Sequence, residues 1–129
     1  MGLFVTSKNT TTDITYNPMV ILKERLKKIE VSGRSRMTDP GLFYEDLRQK
    51  LEAYFHKFRK TLILDFKFEY LSSGSSKWLY YILQSLQTLS EKEGLIEINW
   101  YYEEDDDLIL EAGEVFKSLL KIPFHIHEY

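Results

Sequence analysis

The hydrophobic pattern of this 129-residue chain predicts an α/β fold, with a mixed sheet of about four to five strands and about three helices packed mainly on one face. Three observations carry that prediction. Residues 61–71 and 95–102 alternate apolar and polar side chains, the period of two that a pleated strand requires. Residues 40–58, 75–93 and 106–120 repeat apolar side chains every three or four positions, the period of a helix. The two kinds of segment alternate along the chain, and right-handed crossovers then make at least the two central strands parallel.

Residues 1–12 are polar and threonine-rich without a period, so they read as a flexible N-terminal leader before a single domain over 13–129. Ile14 to Tyr16 reads as a short strand ahead of the turn signal Asn17-Pro18. Residues 19–28 satisfy neither template and leave two readings open, a strand with a charged hairpin or one helical turn. A strand over 29–32 ends at Gly33. Asp39 before Pro40 starts the first helix, because a carboxylate accepts unpaired amide hydrogens and proline needs no amide partner at the first helical position. Its core face is Phe43, Leu47, Leu51, Tyr54, Phe55 and Phe58.

In the 61–71 strand Leu62, Leu64, Phe66, Phe68 and Tyr70 point to one face and Asp65, Lys67 and Glu69 to the other. That polar second face is what places the helices on one side. Helix 75–93 carries Leu79, Ile82, Leu83, Leu86 and Leu89 inward and stops at Gly94. The next strand turns Ile96, Ile98, Trp100 and Tyr102 inward. An acidic block at 103–107 opens helix 106–120, with Ile109, Ala112, Phe116 and Leu119 on one side, and Pro123 separates it from a last strand at 124–127.

Composition removes several classes of function. The absence of cysteine excludes disulfides, thiolate metal sites and a cysteine nucleophile, and fits a cytoplasmic protein. The longest apolar runs fall far short of the roughly 18 residues that span a bilayer, and no secretory leader is visible, so no membrane span is expected. The net charge of -3 hides an asymmetry between an early basic segment, 23–36, and the late acidic block. Neither has the sustained basic, aromatic-interleaved surface of a nucleic-acid binder.

The strongest candidate site is the cluster Ser72-Ser73-Gly74-Ser75-Ser76-Lys77, where a strand gives way to a helix. Hydroxyls and the unpaired amide hydrogens of a first helical turn meet there. An ordinary serine cap explains the composition alone. A phosphoacceptor explains the position as well, since about -1.5 to -2 charges beside the positive end of a helix dipole change the surface without opposing the fold. A serine nucleophile lacks a nearby histidine and the G-x-S-x-G elbow. Two rival readings are a metal-dependent enzyme using the acidic block with His125 and His127, and a surface-binding module using segment 23–36. The acidic block lacks the ligand spacing of a calcium loop, and the two histidines lack an evident third ligand. No cofactor is implied.

Several motifs in order resemble those of the SiaC-like bacterial regulatory phosphoproteins. They are Ser32-Gly33-Arg34-Ser35, Asp65-Phe66-Lys67-Phe68-Glu69-Tyr70-Leu71 running into the serine cluster, Asn99-Trp100-Tyr101-Tyr102, Glu111-Ala112-Gly113 and Pro123-Phe124. The resemblance implies a STAS-like fold, that of the anti-sigma-factor antagonists, and a non-enzymatic partner-switching role. A protein kinase would phosphorylate the strand-to-helix loop, a PP2C-like phosphatase would reverse it, and the unmodified form would bind an effector such as a diguanylate cyclase. The family's loop reads Asn-Thr-Ser-Ser where this chain has Ser72, Ser73, Gly74 and Ser75, so Ser73 takes the acceptor position, with Ser72 and Ser75 as alternates. Partner contacts are expected at Ser72, Gly74, Ser76, Lys77 and Trp78.

Overall fold

The computed structural model describes residues 17–92 and 94–129, so the leader and the strand expected at 14–16 lie outside the described residues. Strand β1 (Met19–Lys23) is followed by a short 3-10 turn (Glu24–Leu26), β2 (Lys28–Ser35), α1 (Pro40–Lys57), β3 (Thr61–Leu71) and α2 (Ser73–Lys92). Strand β4 (Leu95–Tyr102), α3 (Asp107–Leu119) and β5 (Phe124–Glu128) complete the order. The strands lie in sequence order in one sheet, with β1 antiparallel to β2 and every other pair parallel.

The ambiguous stretch 19–28 is a strand and a tight reversal together. Lys27 takes a left-handed conformation (φ 54°) and its amide closes the turn on the Glu24 carbonyl, which returns the chain as β2. That β2 does not end at Gly33. Gly33 sits at φ 99°, a region favoured by glycine, and the β2–β3 register there steps from Gly33 opposite Phe68 to Arg34 opposite Tyr70. The extra residue, Glu69, reverses the alternation of β3. Tyr70 is therefore 44% exposed rather than inward, and Leu71 packs against the core instead.

One face of the sheet carries the buried core, including Val20, Ile29, Val31, Leu62, Leu64, Phe66, Ile96, Ile98 and Trp100. The opposite face is polar. Asp65 is nearly buried there, and it is held by Lys28 at 3.1 Å and by the Asn99 amide at 3.0 Å. His127 Nε2 meets the Asn99 side-chain oxygen at 3.0 Å, so one polar chain crosses β2, β3, β4 and β5. A carboxylate with this little exposure needs such partners, because an unpaired buried charge costs several kcal/mol (about 3–5 when one partner is removed).

The helices differ from expectation in detail. Asp39 occupies the cap position of α1 but its side chain makes no capping bond, leaving Pro40 as the start signal that operates. Tyr44, on the α1 face with Leu47, Leu51 and Phe55, is fully buried, whereas Phe43 and Tyr54 are only partly so. In α3 Asp106 caps the helix by accepting from the Ile109 amide, while Leu119 is 54% exposed and Leu120 fills the core in its place. Gly113 packs against Trp100 with no room for a Cβ, a close approach that apolar periodicity overlooks because glycine carries no hydrophobic side chain.

Candidate functional site

Helix α2 begins two residues earlier than its apolar period suggests, which moves Ser73 from a loop into the first helical turn. The cause is Ser72. Its Oγ accepts the Ser75 amide hydrogen at 3.1 Å and its carbonyl accepts the Ser76 amide at 2.8 Å, the two bonds of a serine cap. The Ser72 amide in turn donates to the Ser35 carbonyl at 3.0 Å, tying the start of α2 to the end of β2.

Below this turn lies a closed set of hydroxyls. Ser35 and Ser75 are fully buried polar residues, and Tyr44 is buried beside them. Ser35 Oγ donates to Ser75 Oγ (2.8 Å), Ser72 Oγ donates to Ser75 Oγ (3.0 Å), and Ser75 Oγ donates to the Ser35 carbonyl (3.3 Å). The single Ser35 hydrogen is thereby used, so Tyr44 supplies the hydrogen of its 2.7 Å bond to Ser35 Oγ. Burial pushes the Tyr44 hydroxyl well above its ordinary range, and its serine bonds oppose this only in part. It stays a donor at any physiological pH. Tyr44→Phe removes that donor and leaves the Ser35 oxygen one partner short, so unfolding stability should fall by about 1–2 kcal/mol. Urea denaturation of the variant against the parent checks this.

The cluster therefore divides by accessibility. Ser73 and Gly74 are exposed, as is Lys77; Ser72, Ser76 and Trp78 are half-buried; Ser75 is fully buried with its hydroxyl engaged. Of the two alternates for the acceptor, Ser75 is enclosed and Ser72 has its oxygen in the helix cap.

The first turns of α1 and α2 lie side by side at this end of the sheet. A Cβ on Gly74 would meet Pro40 at 3.7 Å, and one on Gly41 would come within 2.8 Å of the Trp78 ring. Glycine at 41 thus lets the indole approach α1 closely. Trp78 stacks edge to face with Tyr81 at 5.6 Å, and together with Lys77 they line an open hollow of about 210 Å³. Tyr81 is 55% exposed, and Leu42 of α1 is more exposed still. Sequence reasoning placed Lys77 and Trp78 here but missed Tyr81, Ser35, Tyr44 and Gly41. The spacing Tyr44, Leu47, Leu51, Phe55 was the available signal for Tyr44.

The rival sites do not assemble. His125 is 3.0 Å from Glu97 and His127 is 3.0 Å from Asn99 on the polar sheet face, while the acidic block caps and flanks the start of α3. Among the described residues no three His, Asp or Glu side chains gather in a way that could hold a metal ion. In the basic segment Lys23, Lys28 and Arg34 face Glu30, Asp65 and Glu69, which spends much of its charge within the fold. Among the described residues no helix is long and apolar enough to cross a membrane.

The family model described as "SiaC family regulatory phosphoprotein" matches residues 9–129. The chain belongs to the SiaC family. Among solved structures, SiaC of Pseudomonas aeruginosa is similar with a TM-score of 0.80 at 18% identity, covering 98% of this chain and 100% of that one. The apo form of the same protein gives 0.79 at 19% identity, over 98% and 99% of the two chains. A chain of the complex between the diguanylate cyclase SiaD and its activator SiaC, from the same organism, gives 0.79 at 19% identity, over 89% and 94%. At these identities the likeness is one of fold. No curated protein matches the chain in sequence.

Proposed function

We propose that this chain is a non-enzymatic partner-switching protein whose unmodified form binds a diguanylate cyclase through the paired first turns of α1 and α2. A protein kinase phosphorylates Ser73 and a PP2C-like phosphatase restores it, and the chain acts in the cytoplasm, where kinases find ATP. The observation that carries the reading is the selective exposure of Ser73 within the cluster, with Ser75 buried and Ser72 engaged in the cap. Its support from relatives is the family's character as regulatory phosphoproteins and the SiaD–SiaC complex in which a family member activates a cyclase.

The local chemistry tolerates the modification. A phosphate on Ser73 stands at the positive end of α2 and four residues from Lys77, so the folded state gains rather than loses from the added charge. The partner does not. A dianion one helical turn from Lys77, which lines the hollow together with Trp78 and Tyr81, places charge at the edge of a contact that must shed water, and an unmatched buried charge costs several kcal/mol.

Trp78 is the aromatic anchor of this surface. Trp78→Ala should weaken cyclase binding by about 30-fold, the effect of losing a hot spot worth about 2 kcal/mol. Titration calorimetry with the diguanylate cyclase of the same organism measures it. Unchanged affinity would move the docking surface elsewhere.

A further inference from the structure

We infer that Ser75, buried beneath the acceptor turn, is the residue that confines phosphorylation to Ser73, because it holds the hydroxyl hydrogen of Ser72 out of a kinase's reach. The inference rests on the phospho-switch reading of Ser73 and adds what selects that serine among its neighbours. Selection is needed because Ser72, Ser73 and Ser76 lie within about one helical turn and none is fully buried. The Cα atoms of Ser72 and Ser73 stand only about 3.8 Å apart, so proximity alone would let one kinase modify either.

Phosphoryl transfer sets the requirement. The serine oxygen bonds to the γ-phosphorus of ATP, the bond from that phosphorus to its bridging oxygen breaks, ADP leaves, and the hydroxyl hydrogen passes to a carboxylate base of the kinase. A serine qualifies only when its hydrogen is free to face that base. The Ser72 hydrogen is not. Ser72 Oγ donates inward to Ser75 Oγ at 3.0 Å and accepts the Ser75 amide hydrogen at 3.1 Å, so two bonds to one residue hold the hydroxyl in place.

Ser75 has no slack with which to release it. A hydroxyl offers one hydrogen and two lone pairs, and in Ser75 all three are used. Its hydrogen goes to the Ser35 carbonyl at 3.3 Å, and its oxygen accepts from Ser35 Oγ at 2.8 Å as well as from Ser72. Turning Ser72 outward strips a donor from an oxygen that is fully buried, which sets a preference against Ser72 on the order of 10- to 100-fold. Ser73 is exposed and its hydroxyl belongs to none of these bonds, so its transfer breaks nothing. Ser75 is thus a positioning residue for the switch rather than a spare acceptor.

Initial rates of phosphorylation of the full chain by its cognate kinase and ATP, with each phosphate located by mass spectrometry, test this. The parent should be modified on Ser73. Ser73→Ala should take up phosphate on Ser72 at least about tenfold more slowly, and adding Ser75→Ala, which deletes the acceptor, should raise the Ser72 rate at least about tenfold with no gain on Ser76. Ser75→Cys in the same background keeps a side chain of similar shape with only a weak acceptor, and it should give a smaller gain at the same place. Tyr44→Phe with Ser73→Ala is the control, since it weakens the network at Ser35 but leaves the Ser72 to Ser75 bond, so Ser72 should stay slow. A parent without phosphate on Ser73 would remove the switch reading and this inference together. With the parent modified on Ser73, the role of Ser75 alone is overturned by a Ser72 rate that neither Ser75 variant raises, by a gain shared equally with Ser76 as in a frayed helix, or by an equal gain in the Tyr44→Phe chain.

Discussion

Gly113→Ala should destabilise the protein by about 3 kcal/mol and lower its melting temperature by about 10 °C. The new Cβ would overlap Trp100 Cδ1 and stand 2.6 Å from Nε1 and 3.0 Å from Cγ. The indole cannot retreat, because Phe66, Phe68, Phe116 and Phe124 surround it with ring centroids 5.4 to 6.0 Å away. Its Nε1 also donates to the Ile109 carbonyl at 2.8 Å, so lifting α3 to make room strands a buried donor, at about 1–3 kcal/mol. At an exposed helix position the same substitution would stabilise by about 1 kcal/mol through propensity, which is too little to offset the overlap. Urea and thermal unfolding measure the balance. An unchanged or raised stability would mean that α3 does not sit on Trp100 as described.

Ser73→Asp should weaken binding to the cyclase by at least about 100-fold, whereas Ser73→Ala should bind as the parent does, and neither should change stability by more than about 0.5 kcal/mol. The hydroxyl of Ser73 lies outside the Ser35, Tyr44, Ser72 and Ser75 network, so its loss breaks no bond of that network. An aspartate at the start of α2 suits the helix dipole, which keeps the fold intact. The effect should appear in binding alone. Surface plasmon resonance with immobilised cyclase, paired with urea unfolding of each variant, separates the two quantities. An Asp variant that binds normally, or one that unfolds early, would remove Ser73 as a switch.

The parts of this fold that were legible in the sequence are those where periodicity and burial coincide. Strands β3 and β4 and the body of all three helices alternate or repeat cleanly because one face of each meets the core. Legibility failed where a local backbone feature overrides the period. The register step at Gly33 turned Tyr70 outward, and no hydrophobic pattern encodes a bulge that one glycine permits. The start of α2 was misplaced because Ser72 caps through side-chain chemistry, and serine and glycine in the next three positions carry no apolar signal. The site was half visible for a related reason. Ser73, Lys77 and Trp78 are neighbours in sequence, but the hydroxyl set beneath them joins Ser35, Tyr44 and Ser75 from three elements, which only the folded chain brings together. Resemblance supplied what the period could not, namely which serine to single out among four.

The most direct measurement is site-resolved mass spectrometry of the chain after co-expression with its cognate kinase, combined with cyclase binding by the same sample. The expected result is one phosphate, on Ser73, and loss of binding that returns when a PP2C-type phosphatase removes it. A phosphate on Ser72, Ser75 or Ser76, or a Ser73-phosphorylated protein that still binds the cyclase, would contradict it.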